Sequence, residues 1–201
     1  SATLPVRSGN FVRRSMSMLV LSVAAGLSIA TLSRYLGGTR RIVRVMPNTP
    51  GKIGLGVSGM FADDSVSDQD KAAADSIMRA VGITVWLDGE ERLHDITGIS
   101  GSGPAYVFYL LDALKQAARQ QGFGEEEARR LSLATFKGAV ALAERTGEDF
   151  AVLQQNVTSK GGTTHEAIET FKAGQVAETV VKGVAACVNR SWELAKQFEA
   201  V

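Results

Sequence analysis

The pattern of apolar residues differs between the two halves of the chain. In the first half, short apolar or β-branched runs alternate with stretches of helical periodicity, and such runs are typical of buried strands. Ser28 marks the N-cap of a helix over Ile29–Leu36, and Ser67–Asp70 resembles a capping box that opens a helix through Val81. This alternation predicts an α/β region with a largely parallel sheet. The predicted strands are Met18–Val23, Arg41–Met46, Gly56–Phe61 and Ile83–Leu87.

Strand patterns end near Gly89, and helical patterns occupy the remainder. From Pro104 to Gln121 the apolar residues recur at helical spacing, and the acidic run Glu125–Glu127 suits the positive end of a following helix. We therefore predict two domains, residues 1–88 with the α/β pattern and residues 89–201 with helices alone. Further helices are predicted over Phe150–Val157, Thr163–Ala173 and Ala177–Phe198.

The helices between Pro104 and Gly147 are apolar over a wide arc. They either form a thick core within one chain or bury a face against a second subunit. Because so few helices cannot easily cover one another, the pattern favours a homodimer.

Composition narrows the class of protein. Of 201 residues, 45% are hydrophobic and 21% are charged, which excludes a disordered tail, a collagen-like chain and a highly charged nucleic-acid binder. Residues 1–62 nevertheless hold eight basic residues and no acidic one, so the rest of the chain is acidic. The basic part suits an anion such as a nucleotide phosphate or a nucleic acid. The other interpretation is that the two charges neutralise each other across a domain interface.

Few residues are available for disulfide or metal chemistry. The chain has one cysteine, Cys187, and two histidines, His94 and His165, which argues against a disulfide framework and a structural zinc site. No apolar run reaches the length of a transmembrane helix, and no secretory signal is recognised. We expect a reduced, cytoplasmic protein that binds neither metal nor membrane.

The segment Val157–Ile168 is the strongest local signal for a binding site. Gly161 and Gly162 permit a sharp turn and close approach of a ligand to the backbone. Thr163 and Glu166 have capping-box spacing, which predicts a helix that begins at Thr163. Free N–H groups at a helix start suit a carboxylate or phosphate, and the hydroxyl of Thr164 lies beside them. An ordinary capped helix is the alternative.

Two further segments follow predicted strands. Small residues over Ser22–Gly26 and the Pro-bounded loop containing Asn48 and Thr49 both lie where α/β folds bind ligands, although plain turns are the alternative. The segment Ile99–Tyr106 contains Gly-x-Gly, but it follows polar sequence, so we interpret it as close helix packing rather than a dinucleotide fingerprint.

The isolated reactive residues favour structural roles. His94 and Cys187 are interpreted as packed residues, and His165 as a solvated residue on a first helical turn. Glu90 and Glu91, at the predicted domain junction, face a cleft or begin a helix.

The motifs Leu19–Gly26, Arg44–Pro50, Ile99–Tyr106 and Val157–Thr164, in this order and spacing, resemble the pyrroline-5-carboxylate reductase family over residues 18–201. The resemblance implies an α/β Rossmann-type N-terminal domain followed by an all-α helical dimerisation domain. It implies an oxidoreductase of proline biosynthesis that reduces 1-pyrroline-5-carboxylate to L-proline with NADPH or NADH. It also implies a dimer, which in this family often assembles into rings of dimers.

The resemblance assigns roles to individual residues. It implies that small residues after the first strand line the nicotinamide and ribose and that two asparagines lie near the cofactor. The start of the helix at Thr163 would hold the substrate carboxylate, and Thr164 would be the catalytic hydroxyl near the imine nitrogen. No metal is implied. The implied cofactor-binding residues are Val23, Ala24, Ala25, Asn48 and Asn156, and the implied substrate-binding residues are Glu90, Gly162, Thr163 and Thr164.

Two departures from the family pattern affect these expectations. Lys160 stands where most members have proline, which alters the turn and adds a cation near the carboxylate. Residues 1–17 do not match the strand, glycine-rich phosphate loop and helix with which the family begins. We expect either a truncated chain or a longer protein with this stretch left out, and the choice between NADPH and NADH stays open because the discriminating residue belongs to that stretch.

Two other functions compete with the reductase. One is a non-catalytic helical dimerisation fragment that has lost cofactor binding. The other is a nucleic-acid binder that uses the basic residues 1–62, which we rank low because apolar strands interrupt those charges and no recognition helix or aromatic platform accompanies them.

Overall fold

The computed structural model describes residues 18–200. The chain forms two compact units: one combines the residues up to Pro104 with those from Val184 onward, and the other is Ala105–Gly183. All strands within the described residues lie in the first unit. The predicted division into domains 1–88 and 89–201 stays a prediction.

The first unit is built on a four-stranded sheet in the order β1-β2-β3-β4. The pairs β1–β2 and β3–β4 are parallel, as expected of a largely parallel sheet, but β2–β3 is antiparallel, so the sheet is mixed. Only residues 47–55 join β2 to β3, and a parallel crossover needs a dozen residues or more. The strands are β1 (Val20–Ser22), β2 (Ile42–Met46), β3 (Gly56–Phe61) and β4 (Gly82–Trp86).

Two helices of the strand-bearing region begin at the predicted caps. The Ser28 hydroxyl accepts from the Thr31 N–H, and the Ser67 hydroxyl accepts from the Asp70 N–H, so both cap predictions are confirmed. A π-helical turn follows the third helix and was not predicted. These elements are α1 (Ile29–Tyr35), a 3-10 helix (Thr49–Ile53), α2 (Asp68–Arg79), α3 (Arg92–Ile96) and the π-turn (Thr97–Gly101).

From Gly103 onward the described chain is helical, as predicted. At the start of α7 the N-cap is Gly162, with no side-chain cap bond, so the predicted capping box between Thr163 and Glu166 does not form. Thr163 is instead the first helical residue. The helices are α4 (Gly103–Gln120), α5 (Glu125–Thr146), α6 (Phe150–Asn156), α7 (Thr163–Ala173) and α8 (Val176–Glu199).

One face of the sheet carries the main apolar core. Val43, Val45 and Met60 are almost fully buried there, beneath Ala74 of α2. At its margin, Asp75 of α2 accepts hydrogen bonds from Thr84 Oγ1 at 2.6 Å, Arg79 Nε at 2.5 Å and Trp86 Nε1 at 2.9 Å. These bonds, that from Thr84 first, lower the pKa of the Asp75 carboxyl to about 2 and tie α2 to β4.

The second unit leaves most of its apolar side chains exposed. The predicted apolar face of α4 includes Val107, Leu110 and Leu114, which are 44%, 43% and 38% exposed, and no residue of α4 is buried. A face that packed within one chain would be covered. The apolar face of α4 therefore suits contact with a second subunit.

The predicted fold class, a Rossmann-type α/β region followed by an all-α helical region, is confirmed. No helix within residues 18–200 has the length and hydropathy needed to cross a membrane.

Candidate active site

Two loops meet at one edge of the sheet in the first unit. Because β1 and β2 are parallel and adjacent, the segments after Ser22 and Met46 leave the same edge. The predicted cofactor residues Val23, Ala24 and Ala25 form the first loop and are all exposed. Their small side chains leave the backbone open to a flat ligand.

Gly26 fixes the end of this first loop against α8. Its φ of 79° lies in the left-handed region, and a Cβ added there would lie 2.8 Å from Cδ2 of Phe198. Only glycine meets both conditions without strain, so the small-residue signal of this loop has a structural basis.

Asn48 begins the second loop, and both ends of its side-chain amide are used. Its Nδ2 donates to the Ser100 carbonyl at 3.0 Å, and its Oδ1 accepts from the Val57 N–H at 2.8 Å. The side chain therefore joins the end of β2 to β3 and to the π-turn.

Glu90 lies in the first unit as the centre of a small charged cluster. Its Oε1 accepts from Nη1 of Arg44 at 2.9 Å and from the N–H of Ile29 at 2.7 Å. The Arg44 side chain is 9% exposed, so Glu90 neutralises a largely buried cation and also binds the start of α1. The sequence analysis did not predict these contacts of Glu90. An arginine inside the apolar run Ile42–Met46 could have indicated a buried cation that needs a carboxylate.

A cavity of about 360 Å³ lies beside this cluster within the same unit. Arg44, His94 and Arg190 line it together with Cys187, whose Sγ donates to Ser102 Oγ at 3.3 Å. Within residues 18–200 no group of three His, Cys, Asp or Glu side chains is arranged to hold a metal ion.

His94 joins α3 to α8. Its Nδ1 lies 2.7 Å from Ser191 Oγ, and its ring stacks on Trp192 with centroids 4.1 Å apart. Burial first, and the charge of Arg44 second, lower the pKa of His94 below its ordinary value of 6.5, although Asp95, Glu90 and Glu199 oppose the shift. This packing agrees with the structural role predicted for His94.

The lowered pKa of His94 makes the stability of this unit depend on pH. The folded state binds fewer protons at His94 than the unfolded chain, so the full contribution is present above about pH 6.5 and is lost as the pH falls towards the folded pKa. We expect the free energy of unfolding to fall between pH 7.5 and pH 5.5, and to fall less in His94→Gln. Urea unfolding at several pH values measures both slopes, and equal slopes would contradict the assignment. His165→Gln is the control, because it removes a histidine outside the stack.

The remaining predicted site residues lie in the second unit. Asn156 ends α6 and is exposed, and the turn that follows brings the Gly162 N–H to 2.9 Å from the Ser159 carbonyl. Gly161 has φ 71°, so this turn needs its glycine. Thr163 is exposed and Thr164 half-buried at the start of α7. Gly162, Thr163 and Thr164 are therefore together, as predicted, with backbone N–H groups at an uncapped helix start.

The predicted site thus falls into two groups, one in each unit. Val23, Ala24, Ala25, Asn48 and Glu90 belong to the first unit, and Asn156, Gly162, Thr163 and Thr164 to the second. The first group offers a flat, open edge and the second an anion-binding helix start. Taken separately, an exposed loop of small residues suits a planar group, and an uncapped helix start suits a small carboxylate.

Comparison with known proteins identifies the relatives of this chain. Residues 90–194 match the model of the pyrroline-5-carboxylate reductase dimerisation family. A pyrroline-5-carboxylate reductase of Vibrio alginolyticus is 41% identical over 90% of this chain, and the chain spans 66% of that relative. For the reductase of Haemophilus influenzae, the identity is 38% and the chain spans 67% of the relative.

Solved structures agree with the sequence comparison. A pyrroline-5-carboxylate reductase from Coxiella burnetii has a TM-score of 0.86 and 40% identity, over 92% of this chain and 69% of that one. The Plasmodium falciparum pyrroline carboxylate reductase, solved with NADP bound, has a TM-score of 0.81 and 31% identity, over 89% and 72% of the two chains. The similarity therefore extends over nearly all of the described residues.

Proposed function

The chain belongs to the pyrroline-5-carboxylate reductase family, and we propose that it reduces 1-pyrroline-5-carboxylate to L-proline with NADPH or NADH. The similarity to the Coxiella reductase, at a TM-score of 0.86 and 40% identity, carries this proposal. The reaction belongs to proline biosynthesis.

The open sheet edge fits a nicotinamide cofactor. Val23, Ala24 and Ala25 combine small side chains with exposure, which allows a flat ring and a ribose to approach the backbone. We place Asn48 and Asn156 near the same cofactor. When bound, the cofactor supplies the hydride that the imine carbon accepts.

The start of α7 fits the substrate. The N–H groups of Thr163 and Thr164 would bind the carboxylate of the small monoanionic imine, helped by the positive end of the helix dipole. Gly162 would contribute to the substrate site by letting the carboxylate approach the backbone, since its own N–H donates to the Ser159 carbonyl at 2.9 Å. Lys160, exposed in the preceding turn, adds positive charge near that carboxylate. The Thr164 hydroxyl would hold the proton needed at the imine nitrogen. The protein mainly orients the two reactants.

Glu90 is also proposed as a substrate contact, in a more restricted form. Its Oε1 already accepts from Arg44 and Ile29, so a substrate would meet the other oxygen. Oε1 of Glu90 would then have a structural role, and the other carboxylate oxygen would contact the substrate.

We further propose a homodimer formed through the helical unit, with a ring of dimers as a higher assembly. The exposed apolar face of α4 supports this, as does the match of residues 90–194 to a dimerisation family. The oligomeric state and the reductase activity can be measured on the same purified sample.

The experiment uses the purified protein in the form in which the cell makes it. We expect oxidation of NADPH or NADH, followed by absorbance, that depends on added 1-pyrroline-5-carboxylate and yields proline. Light scattering on the same sample distinguishes a dimer from a ring of dimers. A folded dimer without cofactor-dependent turnover would refute the reductase and favour a non-catalytic dimerisation fragment.

A further inference from the structure

The side chain of Asn48 makes two hydrogen bonds outside its own helix, one to Val57 and one to Ser100, which its local position does not require. It is the N-cap residue of the 3-10 helix Thr49–Ile53, with an extended backbone at φ −139° and ψ 167°, yet its side chain makes no cap bond. Asparagine at such a position ordinarily caps its own helix. Here the amide instead reaches the Val57 N–H and the Ser100 carbonyl.

The bond to Val57 extends the sheet past its last backbone pair. The antiparallel register of β2 and β3 pairs Val45 with Met60 and Met46 with Gly59, which places Asn48 opposite Val57. Pro47 has no N–H and cannot donate to this ladder. The Oδ1 of Asn48 supplies the acceptor that the backbone ladder would otherwise provide.

The bond to Ser100 attaches the π-turn to the same point. This turn is closed by the bond from the Ser102 N–H to the Thr97 carbonyl at 2.8 Å, and it leads into α4. Turns of this kind interrupt regular helical bonding, so a side-chain donor to a carbonyl within one restricts its position. Asn48 therefore joins three elements through one amide.

We propose that Asn48 is a positioning residue, which holds the loop after β2, the start of β3 and the π-turn in register. In this way it would shape the open sheet edge that is proposed to bind the cofactor. It acts through these backbone groups, because each end of its amide is bonded to one of them. The inference rests on the proposed reductase function for its catalytic consequence, whereas the bracing itself can be observed without turnover.

Two substitutions separate the two bonds. Asn48→Ala removes both, so hydrogen exchange at the Val57 and Ser102 amides should accelerate. Asn48→Asp keeps an acceptor for Val57 but places a carboxylate against the Ser100 carbonyl, so only the Ser102 amide should exchange faster. For Asn48→Ala we expect kcat to fall about 10- to 100-fold and the KM for the cofactor to rise, with the KM for the pyrroline carboxylate within about twofold.

The outcomes that would overturn the inference are specific. Unchanged exchange at Val57 in Asn48→Ala would show that the bond does not brace β3. Loss of cofactor affinity in Asn48→Asp with both amides still protected would show direct contact with the cofactor. Asn189→Ala, at an exposed position of α8, is the matched asparagine control and should behave as the wild type. A wild type without turnover would refute the proposed function, while the exchange pattern would still decide the bracing.

Discussion

Replacing Thr164 with valine is expected to lower kcat about 100- to 1,000-fold, because the valine keeps the β-branched shape but lacks the hydroxyl that would hold a proton at the imine nitrogen. The backbone N–H groups at the start of α7 remain in this variant, so the KM for the substrate should change little. Steady-state kinetics with the proposed substrate and cofactor measure both constants.

Two further variants test whether this loss reports the hydroxyl itself. Thr164→Ser restores a hydroxyl and should recover much of kcat. Thr170→Val removes a hydroxyl from the same helix, one that donates to the Glu166 carbonyl at 2.8 Å, and should retain wild-type turnover. Unchanged kcat in Thr164→Val would remove Thr164 from the mechanism. An equal loss in Thr170→Val would point to a general weakening of α7.

Replacing Glu90 with alanine is expected to lower the free energy of unfolding of the first unit by about 2–3 kcal/mol. This is less than the cost of breaking a fully buried ion pair, because Glu90 is partly exposed. The substitution leaves the Arg44 cation, whose side chain is 9% exposed, without its carboxylate, and it also removes the acceptor for the Ile29 N–H. Trp86 and Trp192 both belong to this unit, so tryptophan fluorescence during urea unfolding follows it selectively.

Asp95→Ala is the matched control for the charge at Glu90. Asp95 accepts from Arg92 Nε at 2.7 Å, but both side chains are about half exposed, so its loss should cost about 0.5 kcal/mol or less. Glu90→Gln should lie between the two, because it keeps an acceptor and loses the charge. If Glu90→Ala were no more destabilising than Asp95→Ala, Glu90 would not stabilise Arg44.

Local sequence signals predicted most of the elements and part of the candidate site. Ser28 and Ser67 were recognised as caps, and strand β3 was predicted with its observed bounds, because these features depend on neighbouring residues. The glycine turn before α7 was also evident. The capping box at Thr163 was wrong because the extended residue that precedes the helix is Gly162. The π-turn escaped prediction because no sequence rule distinguishes it from the start of α4.

The long-range contacts of Glu90 and Asn48 could not be predicted in the same way. The resemblance placed both residues near ligands, and their roles there remain proposals. Their observed partners, Arg44 and Ile29 for the one and Val57 and Ser100 for the other, include residues up to 61 positions away. Nothing in the local pattern around either residue specifies those partners.

By itself, the sequence determined the order of strands and helices, the two loops and the glycine turn that carry candidate chemistry, and the family. Periodicity, caps and glycines act over a few residues and can therefore be recognised from the sequence alone. Only the tertiary structure decided that β2 and β3 run antiparallel, that Glu90 neutralises Arg44, and that Asn48 completes the sheet where Pro47 ends its ladder. Each of these depends on which groups distant in the sequence are close in the fold. A buried charge or backbone polar group needs a partner, and the fold determines which residue supplies it.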